Sequence, residues 1–421
     1  MNTSKTTNLR QDWHVASLPI SMPAMILLCV YLAGNSLTYI KELPGSLVTF
    51  ALYGFLATAA LSVFINGKLK IYSHTIWSVA FIILCCVSCI YSADAGRSLG
   101  AVISLIKVLM FTVMLCNIVT TEQRMKMAMS VCSLATIVLF AYLAANNMLD
   151  MEEGERLGNE LTGNANILAS LFMIGAMCSV YVLFFSKTKL ASLLFFVVFI
   201  VQLAALAMSG GRKYFLVPVL LLAGMQIMRT DKKGRKNLLI NVILVFAVLS
   251  ALWWALFNVE FLYETIGYRM EGLIAGFTGE GEADASTRER QAMIKKALEL
   301  WGESPIWGHG IDAFGALTHW GVYAHNNYVE LLCDVGIIGT VVYYAYYIYM
   351  IVKLFKAPMP QLKKSFWILL LFGLLFFDFG AVNYNSFLLN MLLVFAMQAA
   401  KTKEISQSID NEVSNRKADA L

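Results

Sequence analysis

The chain has 421 residues, 59% of them hydrophobic and 14% charged, with a mean hydropathy of +0.67. Soluble domains carry about 25% charged residues, so this composition excludes an ordinary water-soluble fold and places most of the chain in lipid. The net charge of +5 sits mainly in connections between apolar runs, a membrane-orientation pattern that gives no sign of a nucleic-acid partner.

In chain order, apolar runs of roughly 20 residues predict twelve spanning helices. They lie at 17–36, 46–66, 71–91, 99–118, 127–148, 164–186, 190–208, 214–228, 238–258, 327–352, 365–380 and 384–400. The polar start, 1–16, lacks the pattern of a cleavable signal peptide, and a solvated tail, 401–421, follows the last span. With the N-terminus inside, 21 of the 32 Lys and Arg fall on inside segments and five on the short outside loops. That bias predicts cytoplasmic termini. The eight cysteines lie within or at the edges of spans, so no disulfide framework is expected outside. Cys85, Cys86 and Cys89 have no His or carboxylate beside them and read as small buried hydrophobes.

Two outside segments exceed what a connector needs. The first, 149–163, carries Asp150, Glu152, Glu153, Glu155, Arg156 and Glu160. The second, 259–326, divides the chain into spans one to nine (17–258) and spans ten to twelve (327–400), and loops of that length are usually functional. Within it, Ser286-Thr287-Arg288-Glu289 reads as a capping box. Met293, Ile294, Ala297, Leu298 and Trp301 follow as an apolar stripe at helical spacing. Gly302 and Pro305 end that amphipathic helix, and the run GFTGEGEADAS before it reads as a mobile tip.

Polar chemistry has few places to reside in such a chain. Arg290 falls on the apolar side of the loop helix, where it needs an anionic partner, a structural glutamate pair or a snorkelling pose being the bland alternatives. Arg212 follows the turn Ser209-Gly210-Gly211, whose amides with one guanidinium would form a phosphate cradle. An interfacial snorkelling role competes with that reading. His325 stands at the N-terminus of the tenth span, where the helix dipole disfavours a second positive charge and favours the neutral imidazole of a general base. Asn326 either caps the helix or orients the ring. His309 and His319 read as less constrained loop residues. Trp307, Trp320 and Tyr323 suit sugar stacking or an interfacial aromatic belt. Lys107 is the single charge deep in a span, a functional candidate by default.

GNANILAS at 163–170, SGGRKYFL at 209–216, and the stretch from RQAMIKKALELWGESPIWGHGIDAF to AHNNYVELLCDVGIIG at 290–339 occur in this order. Together they resemble the O-antigen ligase/polymerase family over about 150–340. Ala165 departs from the family's Asn-Pro-Asn pattern. The resemblance implies an all-α, GT-C-like polytopic membrane protein that transfers glycans without metal or cofactor. It would act at the outer face of the bacterial cytoplasmic (inner) membrane. The donor and acceptor would be undecaprenyl-diphosphate-linked glycans, with membrane lipid, a flippase and a chain-length regulator as partners. Under it, Arg212 and Arg290 hold the diphosphate and His325 accepts the acceptor's proton. Lys213, Asn326, Trp320 and Tyr323 complete the substrate contacts. Polymerisation is the favoured reaction and ligation to a lipid A core or other acceptor the alternative. A polytopic transporter or flippase is the alternative of another class.

Overall fold

The computed structural model describes residues 21–149, 155–229, 237–278 and 285–401. The polar start, the acidic residues Asp150, Glu152 and Glu153, the basic run Lys232 to Lys236, the centre of the 276–286 run and the tail beyond 401 lie outside the described residues.

The described residues are helical. The first half of the chain forms α1 (Ser21–Leu37), α2 (Ser46–Asn66), α3 (Ser73–Ser88), α4 (Ala95–Ile118), α5 (Glu122–Ala145), the short α6 (Asn159–Thr162), α7 (Ala165–Phe185) and α8 (Lys189–Met208). Next come α9 (Arg212–Ile227), α10 (Leu238–Asn258), α11 (Glu260–Leu262), a π-helical turn (Tyr263–Gly267), α12 (Tyr268–Thr278), α13 (Ala285–Glu303) and α14 (Phe314–Leu317). The last three helices are α15 (Asn327–Lys356), α16 (Gln361–Asp378) and α17 (Phe387–Lys401). Every predicted spanning segment thus carries a helix. Seven of them, α2, α4, α5, α7, α8, α10 and α15, are long and apolar enough to cross a bilayer, which makes this a polytopic membrane protein. Proline 218 and a length of 16 residues keep α9 below that mark, and Lys363, Lys364 and Asp378 charge both ends of α16.

Side-chain caps start several of these helices, satisfying amides that the first turn leaves free. Asp94 accepts from the Arg97 amide, Thr121 from Arg124, Asn164 from Asn166 and Thr188 from Ala191. α7 lies at the centre, between α5, α8 and α9. A buried polar seam joins it to two neighbours: Ser179 donates to Gln202 Oε1 at 2.8 Å, and Gln202 Nε2 donates to Thr136 Oγ1 at 2.9 Å. α10 is peripheral and leaves most of its apolar surface outward.

Residues 259–326 build a cap with its own small core of Met293, Ala297, Leu300, Phe314 and Ala324, closed by Val329 and Cys333 of α15. α13 is the amphipathic helix of that cap, and two details depart from the sequence pattern. Its buried stripe is Thr287, Met293, Ala297 and Leu300, while Leu298 turns outward at 42% exposure, because the main neighbour, α15, covers only one side of the helix. Ser286 lies inside the helix, which already begins at Ala285, so the proposed capping box is displaced.

Candidate active site

Four chain segments converge beside the start of α15. The first is the turn between α8 and α9. Gly210 has φ +61°, and a Cβ there would lie 3.0 Å from Arg269 Nε and 3.1 Å from the Thr265 carbonyl oxygen. Only glycine combines that backbone with that approach. Arg212 opens α9; its Nη1 donates to the Arg269 carbonyl and its Nη2 to Thr287 Oγ1 at 3.0 Å. It therefore ties the turn, α12 and α13 together. Thr287, read from the sequence as part of a cap, is its acceptor. The Lys213 ammonium lies 5.0 Å from the Tyr214 ring and 5.2 Å from the Phe377 ring.

The second segment is α13. Arg290 stands one turn from both Thr287 and Met293, on the helix's inward side, and lines the cavity beneath. It makes no hydrogen bond or ion pair with the described residues, so the loop-glutamate pair considered from the sequence does not form among them.

The third segment leads into α15. Asn326 is its cap: Oδ1 accepts from the Tyr328 amide at 3.0 Å and the Val329 amide at 3.3 Å. His325, just before it, has φ +56°, a left-handed backbone that costs a non-glycine residue energy and is retained where surroundings enforce it. Two contacts enforce it here. The Ala324 amide donates to Glu330 Oε2 at 2.5 Å, and the His325 ring packs on Tyr323 with centroids 4.5 Å apart. Burial lowers the imidazole pKa to about 4, helped by the positive charges of Arg290 and Lys213. Asn326→Ala should remove the cap at a cost of about 1 kcal/mol and free His325 from its backbone position. Thermal unfolding of the purified protein should show a modest loss, with a larger relative loss of activity.

The fourth segment holds Arg156, which sequence analysis treated only as a loop charge. Its Nε donates to the Ser209 carbonyl at 2.7 Å and its Nη2 to Asn166 Oδ1 at 3.0 Å. Burial, with Arg269 and Arg290 nearby, lowers its pKa to about 10, so it remains charged at neutral pH. The segment GNAN thus serves twice: Asn164 caps α7, and Asn166 orients Arg156.

These residues line one cavity of about 530 Å³, together with Arg269, Gly211, Tyr214, Gln291, Ile294 and, from the α16 end, Phe376, Phe379 and Gly380. Arg156, Arg212, Arg269 and Arg290 bring positive charge, burial beside these arginines holds the Lys213 pKa well below the usual lysine range, and no carboxylate is among the described lining residues. Arg269 Nε is buried without a hydrogen-bond partner among the described residues. Such a cavity favours an anion, and guanidinium forks match phosphate oxygens.

Residues 194–344 match the family model described as O-antigen ligase. This stretch, about a third of the chain, is similar to that family. No curated protein matches the chain. The matched stretch runs from α8 into α15 and so includes Arg212, Lys213, Arg269, Arg290, His325 and Asn326. Arg156 and the α16 residues of the cavity lie outside the matched stretch. An enzyme that transfers glycans is the activity this similarity supports.

Within the matched stretch, Trp320, Tyr323 and His309 make contacts that the sequence did not specify. Trp320 stacks on Phe314 with centroids 6.1 Å apart and tilts against His319 at 4.1 Å, packing against the cap's small core without lining the cavity. Tyr323 packs its ring on His325 with centroids 4.5 Å apart and lies close enough to Arg290 and Tyr214 to interact with them electrostatically, without itself lining the cavity. His309 is more constrained than its loop position suggested, with Nε2 2.8 Å from the Leu300 carbonyl and its amide donating to the Cys333 carbonyl.

Proposed function

We propose that this protein is a membrane glycosyltransferase that polymerises undecaprenyl-diphosphate-linked oligosaccharide units at the outer face of the bacterial cytoplasmic membrane. The observation that carries the reading is Arg290: a guanidinium on the inward side of the cap helix, without a counter-ion among the described residues, beside a neutral histidine. In the reaction, the acceptor hydroxyl oxygen attacks C1 of the donor sugar from the face opposite the diphosphate. The bond from C1 to the phosphate oxygen breaks, the diphosphate takes the electron pair, and a His325 ring nitrogen takes the hydroxyl proton. The anomeric configuration inverts. Arg290 and Arg212 meet the negative charge that builds on the departing diphosphate, with Arg156, Arg269 and Lys213 around it. Arginine does not act as the base, because it does not deprotonate.

The same arrangement supports the proposed orientation. The cavity lies at one end of the bundle, and Lys126, Lys353, Lys363, Lys364 and Lys401 cluster at the helix ends on the other, as cytoplasmic basic residues would. Twelve crossings, cytoplasmic termini and an outward-facing GT-C-like site fit that polarity. A transporter would be expected to hold its polar groups near the midplane in related halves, whereas here they gather under one asymmetric cap. Ligation is the second reading, favoured by the description of the matched family. It uses the same donor chemistry with a different acceptor.

Glycan profiles of cells lacking this gene separate the two. Loss of all but single lipid-linked units supports polymerisation. Long lipid-linked chains that never reach their final acceptor support ligation, and an unchanged profile removes both. The base assignment has its own test in pH dependence. An imidazole that protonates near pH 4 in the free enzyme is fully neutral at pH 7. The profile of kcat/KM should stay level on acidification to about pH 5 and fall to half near pH 4. Bound diphosphate adds negative charge, so the limb in kcat should lie at higher pH than the limb in kcat/KM. Coincident limbs at the ordinary histidine value would exclude His325 from this role.

A further inference from the structure

Lys107 lies near the middle of α4, about 18 Å along the axis from Ala95 and about 17 Å from Ile118 at the helical rise per residue. It points outward: its side chain is exposed, as are Leu99, Ile103, Ile106 and Met110 on the same face. It makes no hydrogen bond or ion pair with the described residues. An ammonium group at this depth is costly in lipid, and its four-carbon stem is too short to bring it fully to either interface from the middle of a core about 30 Å thick. The helix face around it is smooth. Gly96 and Gly100 are exposed, and a Cβ at Gly100 would meet nothing within 4 Å. Ser104 turns its hydroxyl back onto the Gly100 carbonyl at 3.0 Å. Small residues four apart let a second helix approach closely, and here they lead to the unpaired charge.

We infer that this face of α4 docks a transmembrane helix of another protein, one that places an Asp or Glu side chain against Lys107. Charge complementarity selects the occupant. Among the described residues of the spanning helices, the carboxylates are Glu122, Glu330, Asp334 and Asp378. Glu122 is paired with Lys363 at the end of α5, and Glu330, Asp334 and Asp378 are buried in the protein's interior. A second copy of this chain therefore has no outward carboxylate at that depth to offer. A carboxylate from a different chain would neutralise the lysine while its helix covered the exposed leucine, isoleucine and methionine side chains.

The test places p-benzoylphenylalanine at Ile103 or Met110 in the full-length chain, in its native membrane, with Lys107 intact or changed to Gln, Arg or Glu. The expected result is an adduct with one other membrane protein, retained with Lys107→Arg and reduced at least tenfold with Lys107→Gln. Lys107→Glu should abolish it, and changing the mid-span carboxylate of that protein to Lys should restore it. Lys107→Gln removes a charge from lipid, so its abundance should match or exceed wild type, which separates lost contact from lost folding. An adduct insensitive to Lys107→Gln, adducts only with lipid or a second copy, no adduct from either position, or a charge swap that restores nothing would overturn the inference.

Discussion

Arg290→Ala is expected to lower kcat for glycan transfer by about 10²–10³-fold, with stability little changed. The expectation rests on how Arg290 differs from the other cations of the cavity. Arg212 and Arg156 spend guanidinium donors on protein acceptors, joining the Arg269 carbonyl and Thr287, or the Ser209 carbonyl and Asn166. Arg290 makes no such bond with the described residues, so its removal leaves no acceptor among them unsatisfied. What it removes is a fixed charge at the place where, in the proposed reaction, negative charge builds on the leaving diphosphate. Arg290→Lys should recover only part of the rate, because an ammonium cannot grip two phosphate oxygens in a plane. Arg212→Ala should cost activity and also thermal stability, since it unties α9 from α12 and α13. Single-turnover rates on a defined lipid-linked donor, beside unfolding curves of the same preparations, separate these cases. Equal rates for Arg290→Ala and wild type would remove the diphosphate from this cavity.

The spanning helices were legible because each apolar run is long and uninterrupted, and polar signals stood out against that background. His325 and Asn326 were visible as the point where a polar loop meets an apolar run, and Arg212 as the charge after a glycine pair. Arg290 followed from helical spacing alone. The signals that failed were those whose meaning depends on distant chain. Arg156 lies in an acidic connection and Arg269 in an unremarkable segment, and only tertiary packing brings both to the Ser209-Gly210 turn. Had the Asn-rich stretch at 163–166 been read as a holder for a charged side chain, Arg156 was the nearest candidate. Trp320 shows the converse: its ring packs against the cap's small core, a contact that its place near the site did not reveal.

The Pro-Ile-Trp-Gly-His-Gly run and the Asp-Val-Gly-Ile-Ile-Gly run, which carried much of the family resemblance, are explained by packing against each other. α15 has 30 residues and breaks at Gly336, with φ +62° and ψ −169°. At the break the loop after α13 lies directly on the helix. The His309 amide donates to the Cys333 carbonyl, Gly310 to Asp334, and Ile337 to Pro305. Asp334, fully buried, accepts from the Asp312, Ala313 and Phe314 amides at 2.8, 3.1 and 3.2 Å. The buried carboxylate thus works as an anchor for the cap, a role its charge did not suggest.

Gly336→Ala should therefore be the most damaging conservative change in the cap. A Cβ at Gly336 would lie 2.2 Å from the Ile306 carbonyl oxygen, a backbone atom that cannot swing aside. Its backbone region is also one that essentially only glycine occupies, at about 1–3 kcal/mol for other residues, and the clash adds to that. The combined penalty should exceed about 3 kcal/mol, enough to sharply reduce accumulation in membranes. Gly308→Ala should behave similarly, since its φ is +71° and a Cβ would meet the Asp334 backbone at 2.4 Å. Gly302→Ala is the control: it lies in α13, and a Cβ there meets nothing within 4 Å, so helix propensity should make it neutral or stabilising. Wild-type melting behaviour in Gly336→Ala would show that the loop does not rest on the break. The consequence for chemistry follows from length. At about 45 Å, α15 exceeds the hydrocarbon thickness of about 30 Å, so its first turns, up to the break, stand clear of the lipid. The break lets those turns take their direction from the cap instead of from the membrane span, and it is from them that Asn326 and Glu330 hold His325 over the cavity.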